Sequence, residues 1–178
     1  GLAKLEPAPL GTKDRAAHIG VANYATGLAR LAECDLVIEA IAERLDWKRD
    51  LYAKIAPHLA PTAILASNTS GLSLAALSDA VPAELRSRFC GIHFFNPPRY
   101  MHLCELIAGP SSDGAMLDAL EAFLTTTLGK GVIRAKDTPN FIANRIGVFS
   151  VIATMQHTQR FELGFDVVDR DQPPEDDP

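Results

Sequence analysis

The chain has 178 residues, with 17 Lys and Arg against 22 Asp and Glu, for a formal net charge of −5. That acidic balance excludes a general nucleic-acid binder, which needs a basic footprint for phosphate. A hydrophobic content of 47% and a mean hydropathy of +0.05 indicate a soluble globular protein, and no apolar run approaches the roughly 20 residues a membrane helix needs.

The opening GLAKLEPAPLG has neither an initiating Met nor the basic-then-apolar order of a signal peptide. Residues 35–41, DLVIEAI, are a β-branched apolar run that reads as a buried strand. Over 46–59, Trp47, Leu51, Ile55 and Leu59 recur every fourth residue, which predicts one helical face with Asp46 as N-cap. AILAS at 63–67 is a second strand and SLAALSDA at 73–80 a short helix ending near Pro82. RFCGIHFF at 88–95 is a third strand, running into Asn96-Pro97-Pro98, and MHLCELIAG at 101–109 a fourth. Met116, Leu117, Leu120, Phe123, Leu124 and Leu128 predict a helix over 112–129 with Gly129 as its stop. GVIRAK at 131–136 is a fifth strand. Asp137-Thr138-Pro139 opens a long helix reaching about Leu163, with Pro in the first turn, and the tail 171–178 is acidic and proline-rich.

Strand, helix, strand, helix, strand is the order that gives parallel pairing with right-handed crossovers, the pattern of a doubly wound α/β sheet. Ligands of such sheets bind at the carboxyl ends of the strands. Cys34, Cys90 and Cys104 lie in apolar segments without a C-x-x-C pair, which reads as small buried hydrophobes in a reduced, cytoplasmic protein.

Several polar clusters fall at strand ends. Ser67-Asn68-Thr69-Ser70-Gly71 is either a polar turn in which Ser70 or Ser73 caps the next helix, or a set of donors for a substrate oxygen or a cofactor carboxamide. His93 ends an apolar strand among aromatics, and Glu105 falls inside another, where an unpaired carboxylate is costly. The two make a chemically sensible pair, in which the carboxylate fixes the tautomer and stabilises imidazolium, or a structural ion pair. Asn140 and Asn144 share one face of the last helix in its first two turns, either orienting a bound oxygen or solvated. Glu39 and Glu43, four apart, precede Lys48, and Arg99 is a loop cation or an anion clamp. No G-x-G-x-x-G, metal-ligand spacing or G-x-S-x-G elbow occurs, which disfavours a phosphate loop, a metal site and a hydrolase.

Taken together, VIEAIAERLDWKRDLY, SNTSGLSL, GIHFFNPP, HLCELI and KDTPNFIANRIG resemble the L-3-hydroxyacyl-CoA dehydrogenase family of fatty acid β-oxidation, from about Leu31 to Gly164. The resemblance implies an NAD-dependent oxidoreductase acting on an acyl-CoA substrate, with no nucleic-acid or membrane partner. Its fold is a Rossmann-like sheet, here N-terminally incomplete, followed by the first helix of an all-α C-terminal domain through which the family usually forms a homodimer. The domains implied are 1–136, nicotinamide-binding, 137–170, the start of the helical domain, and the acidic tail 171–178. By motif, the catalytic residues fall on His93, Glu105, Ser70 and Asn144, and the cofactor contacts on Glu43, Lys48, Ser70 and Asn96. The sequence departs from the family in lacking the glycine-rich phosphate turn and the ribose-binding acid, in Asn140 where glycine is common, in Arg99 and Tyr100, and after about Asp169. A fragment with impaired cofactor binding is therefore expected. The alternatives are a non-catalytic acyl-CoA-binding or assembly module, and a dehydrogenase of small hydroxy acids on the same scaffold.

Overall fold

Five short strands form one sheet in the computed structural model, which describes residue 8 and residues 10–168. They are β1 (Leu36–Glu39), β2 (Ile64–Ser67), β3 (Phe89–Phe94), β4 (Leu103–Ala108) and β5 (Gly131–Ala135), in that spatial order. Between them run α1 (Leu45–Ile55), α2 (Leu74–Ala80) and α3 (Gly114–Thr126), with α4 (Ala143–Arg160) and α5 (Phe165–Val168) after β5. β1, β2 and β3 pair in parallel, as their helical crossovers predict. The connection from β3 to β4, residues 95–102, is too short for a parallel crossover, so β4 returns antiparallel. β5 then pairs parallel with β4 through α3. The sheet is therefore mixed, with its last two strands reversed.

Alternation along the strands divides the core between the two faces of the sheet. Ala66, Cys90, Ile92, Cys104 and Leu106 face α3 and form one buried cluster with Leu117, Leu120 and Leu124. The intervening residues face α1 and α2. There the Tyr52 and Phe89 rings meet 5.7 Å apart at a steep angle, and a Cβ on Gly91 would stand 3.3 Å from Leu74 and 3.2 Å from Ile107. His93 and Glu105 belong to this second face.

Several local expectations differ from the structure. Helix α1 begins at Leu45 with Arg44 at its N-cap, so Asp46 lies in the first turn and pairs with Arg44 at 2.7 Å. The buried face of α1 is Lys48, Tyr52 and Ile55, while Trp47 is exposed. Phe123 and Leu128 are exposed as well, leaving Leu117, Leu120 and Leu124 as the core of α3. Cys90 and Cys104 are buried, but Cys34 is only half-buried. Ser73 does cap α2, accepting from the Ala76 N–H, and Gly129 has the positive φ of 66° that ends the α3 segment.

The helix expected from Pro139 starts four residues later. Asn140 and Phe141 adopt φ of 63° and 49°, outside the right-handed helical region. Asn140 therefore precedes α4 and shares no helical face with Asn144. The chain divides into one unit ending at Phe141 and another beginning at Ile142. In the second unit α4 buries only Thr158, and Ile146, Phe149 and Met155 are exposed. The acidic tail lies outside the described residues. No described helix is long and apolar enough to cross a membrane.

Candidate active site

The reversal between β3 and β4 sets His93 directly opposite Glu105 in the antiparallel register. Their side chains meet there, with His93 Nδ1 2.8 Å from Glu105 Oε2. The imidazole is 3% exposed and the carboxylate fully buried. An aromatic wall surrounds the ring, with Phe95 at 4.5 Å and Phe141 at 5.7 Å between centroids. In such a setting the carboxylate accepts a hydrogen bond from Nδ1–H, so the neutral ring carries its basic lone pair on Nε2.

A second polar assembly links the ends of β1 and β2. Glu39, the last residue of β1, is buried and accepts four hydrogen bonds. Lys48 Nζ and the Ile41 N–H donate to Oε1, each at 2.7 Å, and the Tyr52 hydroxyl at 3.0 Å and the Ser67 hydroxyl at 2.7 Å donate to Oε2. Lys48, whose side chain is 1% exposed, also reaches Glu43 Oε2 at 3.4 Å. Glu43 Oε1 in turn takes the Thr69 hydroxyl and the N–H groups of Ser70, Gly71 and Leu72, at 2.9, 3.1 and 3.4 Å.

These contacts perturb the ionisable groups. Partial burial works against the Glu43 charge, but the Thr69 hydroxyl, the Lys48 ammonium and the Ser70 and Gly71 amides outweigh it, so its carboxyl titrates below the usual range. Burial, reinforced by the neighbouring Glu39 charge, pushes the Tyr52 phenol well above its ordinary value and keeps it a donor.

Backbone ties join the two assemblies. Asn68 donates its N–H to the Glu39 carbonyl at 2.7 Å, and its side-chain oxygen accepts the Phe94 N–H at 3.0 Å. The turn carrying Ser70 is thus fixed to the strand end carrying His93. Asp137 accepts from the Ser73 hydroxyl and from the N–H groups of Leu74 and Ala75, all at 2.9 Å, pinning the segment that leads to Phe141 onto the start of α2. Lys130 donates to the carbonyls of Pro98 and, at 2.8 Å, Met101, holding the loop that begins at Asn96.

Of the residues singled out by sequence, His93, Glu105, Ser70, Glu43, Lys48 and Asn96 all belong to the first unit, at or near the carboxyl ends of β1, β2 and β3 or on the strand paired with β3. Ser70 and Asn96 are exposed. Asn144 is half-buried in the first turn of α4, in the second unit. Sequence reasoning left out Tyr52, the Thr69 hydroxyl as a Glu43 partner, and Asp137. Tyr52 was findable, because it stands one helical turn beyond Lys48 and so shares its face. Asp137 carried no such signal, since its partners are more than 60 residues away in sequence.

The family model described as the NAD binding domain of 3-hydroxyacyl-CoA dehydrogenase matches residues 3–138. The chain is 42% identical over 160 residues to a Deinococcus radiodurans protein named "Probable 3-hydroxyacyl-CoA dehydrogenase", an overlap of 90% of this chain and 46% of that one. It is 38% identical over 135 residues to the mitochondrial hydroxyacyl-coenzyme A dehydrogenase of Sus scrofa, covering 76% of this chain and 42% of that one. Among solved structures, M. tuberculosis FadB2 superposes with a TM-score of 0.73 at 31% identity, over 80% of this chain and 50% of that one. The chain spans from about a fifth to just under half of the length of the curated relatives it matches.

Proposed function

Because the chain belongs to the 3-hydroxyacyl-CoA dehydrogenase family, matching its NAD-binding domain, we propose that it serves the oxidation of L-3-hydroxyacyl-CoA to 3-ketoacyl-CoA, with His93 as proton acceptor. The observation that carries this reading is the buried His93–Glu105 pair at 2.8 Å, on the strand tied to the exposed Ser70 turn. His93 takes the 3-hydroxyl proton at Nε2. Glu105 accepts a hydrogen bond from Nδ1–H, holds that tautomer and stabilises the imidazolium that forms. Ser70 donates to the substrate oxygen as it becomes a carbonyl, and Asn144 joins it in this role on the family motif alone. NAD, when bound, supplies the acceptor for the C3 hydride.

The residues present fit the nicotinamide end of that cofactor. Exposed Ser70 and Asn96 and the Glu43 carboxylate, 42% exposed, have the donors and acceptors that a carboxamide and ribose hydroxyls require. Lys48 is buried, so in this reading it serves the cofactor by holding Glu43. The amides of residues 70–72 are committed to Glu43 and to the Thr69 hydroxyl oxygen, so this turn is not a phosphate cradle. The finer reading assigns the reaction to fatty acid β-oxidation in the cytoplasm. In it residues 1–136 are the nicotinamide domain, and 137–170 begin the helical domain through which two copies pair.

The deciding assay follows nicotinamide absorbance with acetoacetyl-CoA and NADH. Turnover by the wild-type chain, abolished in His93→Gln with NADH binding intact, is the expected result. Near wild-type turnover by His93→Gln removes the assignment, and acetoacetyl-CoA binding without any turnover identifies an acyl-CoA-binding or assembly module instead.

A further inference from the structure

We infer that Glu39 is a positioning residue for Ser70, acting through Lys48 and Glu43. The inference rests on the reading above, in which Ser70 meets the substrate oxygen. Glu39 takes no part in the proton path, yet it is a buried carboxylate with four donors converging on it. Such a group is costly to keep in the core unless its charge is fully compensated. It is compensated, and the way it is compensated has a direction.

Lys48 Nζ is held at 2.7 Å by Glu39 and at 3.4 Å by Glu43. With almost no exposed surface, the ammonium cannot swing out to water, so its place is set by the shorter contact. Lys48 in turn fixes the orientation of a Glu43 carboxylate whose other oxygen gathers the Thr69 hydroxyl and three consecutive amides. Those amides belong to Ser70, Gly71 and Leu72, so they define the turn on which the Ser70 side chain is mounted. A second route runs beside the first, since Glu39 also accepts from Ser67, and the Ser67 hydroxyl accepts the Thr69 N–H at 3.3 Å. Both routes begin at Glu39 and end at the 69–72 turn.

Glu39→Gln changes one charge at nearly constant volume. The amide nitrogen can occupy the Oε2 position, where the two hydroxyls rotate to accept, leaving a neutral carbonyl for Lys48. The ammonium is then drawn toward Glu43 and the turn shifts with it. Displacement of a hydrogen-bonding group by a fraction of an ångström to one ångström costs one to two orders of magnitude in rate. The expected loss in kcat for acetoacetyl-CoA reduction is therefore about tenfold or more, with KM close to the wild-type value.

A merely structural role does not produce four further results. In a Ser70→Ala background, Glu39→Gln is nearly silent in kcat, because the group it positions is gone. Glu39→Asp, which keeps the charge, recovers most of the rate. Two-dimensional NMR of Glu39→Gln shows the Ser70, Gly71 and Leu72 amides displaced while those of α3 stay in place. Acetoacetyl-CoA titrated into the wild-type chain moves the Ser70 amide, and its effect is reduced in Glu39→Gln. Additive kcat losses in the double variant, or equal movement of the Ser70 amide in both proteins, overturn the role of Glu39 alone. A Ser70 amide indifferent to acetoacetyl-CoA in the wild-type chain overturns the substrate contact, and the positioning role falls with it.

Discussion

His93 and Glu105 are direct cross-strand partners in an antiparallel pair, and their side chains meet at 2.8 Å with almost no exposure to water. Their approach is a property of the sheet rather than of a flexible loop. Opposite residues in such a pair carry Cβ atoms about 4.5–5.5 Å apart, a spacing that an imidazole and a glutamate span without leaving ordinary rotamers. The flanking strand residues Ile92, Leu106 and Cys104 are locked in the α3 cluster, so the dyad inherits the rigidity of the core. Preorganisation of this kind is what a proton-transfer pair needs.

Changing either member should therefore affect activity and stability differently. Glu105→Gln keeps the volume and an acceptor for Nδ1 but removes the charge that stabilises imidazolium. Its kcat for acetoacetyl-CoA reduction should fall about 10²–10⁴-fold, the usual worth of general acid–base assistance, with little change in denaturation midpoint. Glu105→Ala should lose the same activity and in addition about 1–3 kcal/mol of stability, since it strands a buried ring nitrogen. Steady-state kinetics beside urea unfolding separates the two. Equal stability for Gln and Ala would show that the pair does not hold the sheet as described.

The Glu43 carboxyl makes the Ser70 turn sensitive to acid. Its titration is lowered in the folded chain despite the opposing effect of partial burial, so folding favours the charged form. The stabilisation it contributes is present above the ordinary carboxylate pKa, about 4.3, and is lost as pH falls through the lower folded value. The Ser70, Gly71 and Leu72 amides should accordingly hold their shifts from neutral pH down past that ordinary value and move only in stronger acid. In Lys48→Met the transition should come at higher pH. Amides that titrate at the ordinary carboxylate value in the wild-type chain would contradict the hydrogen bonds to Glu43.

Much of this architecture was legible in the residues because local patterns and burial pointed the same way. DLVIEAI, AILAS and RFCGIHFF are strands by composition, and the polar residues that follow each one fall where a parallel sheet presents its ligand side. Glu105 was conspicuous as a charge inside CELI, and the short 95–102 connection is what places it opposite His93. The errors arose where tertiary contacts overrode a local signal. Pro139 looked like a helix start, but Asp137 is engaged by the first turn of α2 and Phe141 is drawn beside His93, which delays α4 to Ala143. Asn140 stands where glycine is common, and its φ of 63° gives the reason: the position needs a left-handed residue, a conformation Asn tolerates better than most. The burial of Lys48 is explained only by the carboxylates on either side of it, of which Glu39 lies nine residues away in sequence.

The three cysteines should separate cleanly by reactivity. Burial pushes the Cys90 thiol up to about 12 and, together with the nearby Glu105 charge, the Cys104 thiol to about 11, with Lys130 opposing in the latter case. Neither is a thiolate at neutral pH, and both are packed under α3. Cys34 is half-buried and outside that core. Alkylation of the native chain at pH 8 should label Cys34 first, with Cys90 and Cys104 reacting at rates set by unfolding. Mass spectrometry of digested chain gives the order, and early labelling at Cys90 would show that the α3 layer opens locally.

Cofactor affinity offers the sharpest test of which part of NAD the chain engages. In the proposed site Ser70, Asn96 and Glu43 suit the nicotinamide and its ribose, while the amides of the 70–72 turn are already spent on Glu43 and the Thr69 hydroxyl oxygen. The sequence contains no G-x-G-x-x-G to bring a helix N-terminus to the pyrophosphate. The adenosine half is therefore expected to add little to the affinity of the 178-residue chain. Reduced nicotinamide mononucleotide and NADH should bind it with dissociation constants within about tenfold of each other, a difference of about 1.4 kcal/mol. Calorimetric titration of both ligands measures the gap directly. Glu43→Gln should weaken both to the same degree, because the contact proposed for Glu43 lies in the half they share. NADH binding a hundredfold tighter than the mononucleotide would mean that another part of the chain holds the pyrophosphate or the adenosine.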